Sequence, residues 1–262
     1  MKLKTSLAVA ALTCLLAFAA RAGSFTLNLD HVFPAFQTSA PTSSIQPWLT
    51  ATFTDNGLDD VLLTMTALNL STNLARQAAA DVVAVQRSES VNAWWFNINP
   101  ILSADGAGGV KVRLLNINYV SGVRATLVAQ SGGATGQNSE QADSDGFYDF
   151  KFVFAAVNTA STFTNGSNSV YELTGLRQVI DASDFVNFFS SEFNGAGILK
   201  SPNGPFYETA ANIVDTVKKN GRGVLIFDNG FVGAVPEPAT WLLVGSMFVL
   251  PVLIRFSRRR KQ

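Results

Sequence analysis

The side chains that could do chemistry in this sequence are mostly carboxylates. Asp143, Asp145 and Asp149 stand at i, i+2 and i+6 in the run DSDGFYD, oxygen donors spaced like part of a calcium loop. The run lacks the Asp-x-Asp-x-Asn/Asp-Gly spacing and the twelfth-position Glu of an EF-hand. A polar turn with Gly146 at positive φ accounts for the same residues, so no metal cofactor is expected. If calcium binds, these three aspartates are its ligands. Asp55, Asp59 and Asp60 form a similar acidic turn. Two carboxylates could also serve a glycoside hydrolase, but their separation is not readable from sequence.

His31 is the only histidine, so a Ser-His-Asp triad would have to use it, and no Gly-x-Ser-x-Gly elbow accompanies it. Multi-histidine zinc sites are excluded. Neither a Gly-x-Gly-x-x-Gly nor a Gly-Lys-Ser/Thr occurs, which removes the common phosphate cradles. Trp94 and Trp95 are the candidates for a sugar-stacking platform. Adjacent residues in a strand point to opposite faces, so one of the pair is expected to face outward.

These residues must be positioned by a β scaffold. Between Gly23 and Ala234, short runs of Val, Ile, Thr and Phe alternate with Gly, Asn, Asp and Ser clusters. Residues 25–29 and 48–54 alternate with period two, and the second run ends in Asp55-Asn56-Gly57, a hairpin signal leading to a strand over 61–70. Further strands are expected over 91–98, 110–119, 123–130, 147–155, 170–173 and 223–227. In the run 147–154, Tyr148, Phe150, Phe152 and Phe154 are expected to share one face. Helix is expected over 74–85, with three consecutive alanines, and over 184–189, with Ser183 able to cap. Residues 206–217 fit either period. Most of the 20 phenylalanines fall in this central part and read as packing residues.

The two ends differ from the middle. Residues 1–22 carry Lys2 and Lys4, an apolar run, and Ala20-Arg21-Ala22, the pattern of a secretory signal cut by signal peptidase before Gly23. Cleavage would remove Cys14, the only cysteine, and with it any disulfide or thiolate site. The central part carries 11 basic and 18 acidic residues, about −7, with no Lys/Arg cluster, so nucleic acid is not an expected partner. Residues 239–256 form an apolar run with Trp241 at its entry, long enough to cross a membrane. Arg255, Arg258, Arg259, Arg260 and Lys261 follow, and the positive-inside rule keeps them cytoplasmic.

Pro236, Glu237 and Pro238, then the apolar run, then the basic tail, resemble a PEP-CTERM sorting signal over the last 28 residues. That resemblance implies recognition by an exosortase, a membrane cysteine protease-transpeptidase, and removal of the tail near the Pro-Glu-Pro. It also implies an inner-membrane-anchored precursor delivered to the cell surface or extracellular matrix of an exopolysaccharide-producing bacterium. The stretches PWLTATFTD from Pro47, WFNIN from Trp95 and GPFY from Gly204 resemble an uncharacterised group of such exported proteins. They carry no catalytic residue with them.

The expectation is therefore a mainly β protein. Residues 1–22 are a signal peptide, 23–234 a single antiparallel β-sandwich of jelly-roll type, and 235–262 the sorting signal. A structural or adhesive role in an exopolysaccharide or biofilm matrix is expected, without enzymatic activity. The alternative is a carbohydrate-binding module for the cell's own exopolysaccharide; a hydrolase of that polymer comes after both.

Overall fold

The computed structural model describes residues 23–57, 60–76, 84–98, 115–130, 140–142, 147–155, 162–176, 179–186 and 207–235. Within them the chain is mainly β, and its strands, numbered in chain order, pair antiparallel. One sheet has five strands: β1 (Ser24–Leu29), β3 (Leu49–Asp55), β4 (Asp60–Ala67), β14 (Asn168–Gly175) and β8 (Leu115–Gly122), side by side in that order. A seven-stranded sheet runs β2 (His31–Val32), β16 (Leu225–Ala234), β15 (Thr209–Lys219), β7 (Ser90–Phe96), β12 (Phe150–Val153), β9 (Leu127–Gln130). Its seventh strand, β13 (Phe163–Thr164), also pairs with β7. Two small hairpins, β5 (Thr72–Ala75) with β6 (Val85–Ser88) and β10 (Glu140–Gln141) with β11 (Phe147–Tyr148), complete the strands.

Alternation builds the first sheet. Leu49, Ala51 and Phe53 of β3 and Val61, Leu63, Met65 and Ala67 of β4 are buried, while the threonines between them turn away. On that outer face Thr26 and Thr52 hydroxyls lie 2.9 Å apart across the β1–β3 pair. The β3–β4 register, Leu49 opposite Ala67 through Asp55 opposite Val61, is that of the hairpin expected from Asp-Asn-Gly.

Both sheets feed one hydrophobic cluster. Phe53 of β3 meets Phe96 of β7 edge-on at 5.7 Å, and Phe152 of β12 lies 4.5 Å from Tyr171 of β14. Phe53 also stacks on Phe185 at 4.6 Å. Each buried phenylalanine contributes about 1.5–3 kcal/mol and each favourable ring pair about 0.5–1.5 more, so these rings dominate the core.

The seven-stranded sheet buries its other face as well. Trp95 and Ala93 of β7, Ala210 of β15, Phe231 of β16, Tyr148, Phe33 and Tyr207 form a second cluster. Phe33 stacks on Tyr207 at 4.2 Å, and the 3₁₀ segment Pro34–Ser39 lies over β15 and β16. A sheet covered on both faces needs no polar alternation, and β15 shows none along most of its length.

Three expectations are corrected. Within 74–85, Leu74 and Ala75 end β5 and Val85 begins β6, with Leu74 opposite Gln86 and Ala75 opposite Val85; residues 77–83 lie outside the described part. Cross-strand pairing there overrides helix propensity. Tyr148 does not share a face with Phe150, Phe152 and Phe154: the strand breaks at Asp149, and Tyr148 joins the second cluster while the phenylalanines join the first. Of the helix expected over 184–189, the described part is the end of a 3₁₀ turn, Ala182–Phe185, capped by Asp181 rather than Ser183; residues 187–189 lie outside the described part. Of residues 206–217, which fit either period in sequence, those from Thr209 onward lie in β15.

Candidate functional site

Polar chemistry among the described residues gathers where the β5–β6 hairpin meets β15 and β16. Glu89, between β6 and β7, is fully buried. Its Oε2 accepts the Ser71 N–H at 2.9 Å, and the Glu89 N–H returns a bond to the Ser71 carbonyl at 2.8 Å. Its Oε1 accepts the Thr42 N–H at 2.8 Å and Asn73 Nδ2 at 3.0 Å. Thr42 Oγ1 lies 3.0 Å from the same oxygen and 2.8 Å from Asn73 Oδ1, its one hydrogen shared between them. A carboxylate holding this many donors is a fixed hydrogen-bond acceptor.

Asp215 sits beside it in β15, at the register shift between Val214 and Thr216, with φ 59°. Positive φ is uncommon outside glycine, and Asp and Asn tolerate it best. The Asp215 carbonyl accepts Asn73 Nδ2 at 3.0 Å, and its Oδ1 lies 3.2 Å from Arg87 Nη1. Arg87 in turn rests over the Phe227 ring, 5.0 Å from its centre. The bulge thus presents a buried carboxylate to β6 while Thr216 resumes the ladder opposite Asp228.

A second polar group adjoins it. Lys218 Nζ lies 2.7 Å from Asp228 Oδ2, which the Ser39 hydroxyl also donates to. Burial by itself would raise the Asp228 carboxyl. The Lys218 ammonium, the Ser39 hydroxyl and the Asn229 N–H outweigh that and hold it below its ordinary value. Together the two groups fasten the segment preceding β3 and the β5–β6 hairpin onto the β15–β16 ladder. Their chemistry is that of a clamp.

The chain matches no family model, no curated protein and no solved structure.

The residues singled out from sequence are dispersed. Trp94 and Trp95 do face opposite ways, but both are buried, one in each cluster, so neither offers the exposed face a sugar needs. The covered outer face of the seven-stranded sheet is the reason. Trp94 Nε1 donates to Thr209 Oγ1 at 2.9 Å, and that hydroxyl donates to the Trp95 carbonyl at 2.6 Å. Asp149 is buried and its Oδ2 accepts the Ile98 N–H at 2.9 Å, a backbone latch; Asp143 and Asp145 lie outside the described residues. Among the described residues no group of three or more His, Cys, Asp or Glu could hold a metal ion. His31 is exposed, its Nδ1 2.5 Å from Asp30 Oδ1. Asp55 and Asp60 accept donors from distant parts of the chain, Ala182 N–H at 2.7 Å and Thr174 Oγ1 at 2.5 Å, and Asp59 lies outside the described residues.

Of the signal peptidase site, Gly23 is described and Ala20 and Ala22 are not. Pro236, Glu237, Pro238, the apolar run 239–256 and the basic tail are also outside the described residues, within which no helix is long and apolar enough to cross a membrane. Sequence reasoning missed Thr42, Asn73, Arg87, Glu89 and Asp215. Glu89 stands in a polar run, RSES, and its partners come from distant parts of the chain, so local pattern carried no signal for it.

Proposed function

We propose that this chain is an exported surface or matrix protein, structural or adhesive in an exopolysaccharide matrix, trimmed at both ends on the way out. Signal peptidase removes 1–22, and an exosortase removes the tail at the Pro-Glu-Pro of 236–238. The observation that carries the reading is the order of the sequence signals: Lys2, Lys4, an apolar run and Ala20-Arg21-Ala22 at one end, and Pro236-Glu237-Pro238, an apolar run and a basic tail at the other. Among the described residues the strand ladder runs from Ser24 to Ala234, between the two expected cuts.

What stays between the cuts is a self-contained β domain. We read its two sheets as a β-sandwich of jelly-roll type, because one hydrophobic cluster draws on both and the chain passes between them repeatedly, as from β1 to β2 to β3. Ala234 is buried and its carbonyl accepts the Glu208 N–H at 3.0 Å, so the ladder is closed up to the edge of the sorting motif. Beyond it the sequence places Pro236 and Pro238, and proline disfavours helix at its own position and at the one before, which suits a motif that a protease must engage. A Glu89 carboxylate filled by backbone and amide donors, and buried tryptophans, suit a scaffold better than an enzyme or a sugar platform.

Alanine replacement of Pro236, Glu237 and Pro238 together tests the reading. The expected result is full-length protein retained at the inner membrane. Normal delivery of a trimmed chain to the matrix would overturn it.

A further inference from the structure

Gly23, the first residue of the expected mature chain, has its backbone nitrogen 2.7 Å from Oδ2 of Asp55. The Gly23 carbonyl accepts the Asp55 N–H at 3.0 Å, closing the β1–β3 ladder beyond the Ser24–Thr54 pair. Asp55 Oδ1 accepts the Ala182 N–H at 2.7 Å, so one carboxylate ties the sheet edge to the 3₁₀ turn. Other acids surround it. Asp60 takes the Thr174 hydroxyl, Glu172 takes Asn56 Nδ2 at 3.1 Å, and Asp181 caps the turn. Among the described residues, none of Asp55, Asp60, Glu172 and Asp181 is in an ion pair. This acidic corner grips the one nitrogen that processing would charge.

We propose that Asp55 is the receptor for the new N-terminus: cleavage after Ala22 converts an amide–carboxylate bond into an ammonium–carboxylate pair that fastens β1 to β3. The inference rests on the processing reading above. In that hydrolysis water is the co-reactant. The Ala22–Gly23 C–N bond breaks, the water oxygen goes to the Ala22 carbonyl carbon to leave a carboxylate, and both water hydrogens end on the Gly23 nitrogen. The product is an ammonium at neutral pH, since an α-amine has a pKa of about 7.7–8.0. An ammonium binds a carboxylate more strongly than a neutral N–H does. Among the described residues β1 is an edge strand, paired on one side by β3, so a fastener at its end matters. The mature chain is therefore more stable than the precursor in this corner.

The test starts from exported protein whose intact mass gives Gly23 as its first residue. Transamination of the α-amine removes its charge and spares the lysines. The expected loss is roughly 2–4 °C in Tm for the wild type, and less than half of that in Asp55→Asn. Equal losses in the two backgrounds overturn the pairing. Because Asp55→Asn also touches the Ala182 contact, a second measurement uses the wild type alone. Acylation of the Gly23 amine is expected to be several-fold slower in the folded than in the urea-unfolded chain, and equal rates overturn the pairing. A first residue other than Gly23 overturns the processing reading, and this inference with it.

Discussion

Asn73 Nδ2 lies 3.0 Å from both Glu89 Oε1 and the carbonyl of Asp215, so one side-chain amide joins the β5–β6 hairpin, the start of β7 and the bulge of β15. Three parts of the chain are held together here by one amide and one carboxylate. The energetics follow from burial. A polar group inside the protein is worth little while satisfied and costs much when its partner is removed.

Glu89→Ala strands the Ser71 and Thr42 N–H groups and takes from the Asn73 amide one of its two acceptors. The expected cost is on the order of 3 kcal/mol or more, read as a lower urea midpoint with the hairpin's amides exchanging faster. A loss under about 1 kcal/mol would show that the cluster is not a clamp.

At Asp215, backbone and side chain can be separated. Asp215→Gly and Asp215→Ala both delete the carboxylate that pairs with Arg87, but only glycine accepts φ 59° freely. The glycine variant should therefore be the more stable of the two by about 1 kcal/mol, the reverse of the usual order in a strand. Equal stabilities would mean the bulge relaxes.

Gly230 of β16 is packed beneath the 3₁₀ segment Pro34–Ser39, and a Cβ there would fall 2.1 Å from the Ser39 carbonyl oxygen. The obstacle is backbone, so no rotamer change relieves it. Gly230→Ala is expected to cost about 1–3 kcal/mol and to expose the second cluster to a hydrophobic dye. An unchanged Tm would show that the segment lifts without penalty.

Asp228 gives a pH signature. Its carboxyl is held below its ordinary value, so it is the charged form that stabilises the fold. The contribution is complete above the unfolded carboxyl's pKa of about 3.9 and is lost as pH falls through the lower folded value. Asp228→Asn should therefore weaken the protein at neutral pH and flatten the decline in stability below about pH 4. Parallel curves for variant and wild type would remove Asp228 from the acid response.

Where one face of a strand is wet, the sequence was readable. Threonines alternating with Leu49, Ala51 and Phe53, followed by Asn56-Gly57, define β3, its face and its turn without further help. β15 was not readable in this way. Ile213, Val214 and Val217 fit a helix as well as a strand, and a strand buried on both faces has no polar phase to break the tie. The face change at Asp149 depends on one side chain latching Ile98, which no periodicity encodes. The clamp around Glu89 was invisible for a related reason. Its partners Thr42, Ser71 and Asn73 meet it only through the fold, and a buried glutamate looks like a surface one until its donors are known.

A β domain cut free at both ends during export has a defined mass, so the decisive measurement is the intact mass of the protein recovered from the cell surface, with and without the exosortase. The mass predicted with the enzyme is that of a chain starting at Gly23 and ending at or near residues 236–238; without it, the tail through Gln262 remains. Surface protein that keeps the complete tail in the presence of the exosortase would contradict the account.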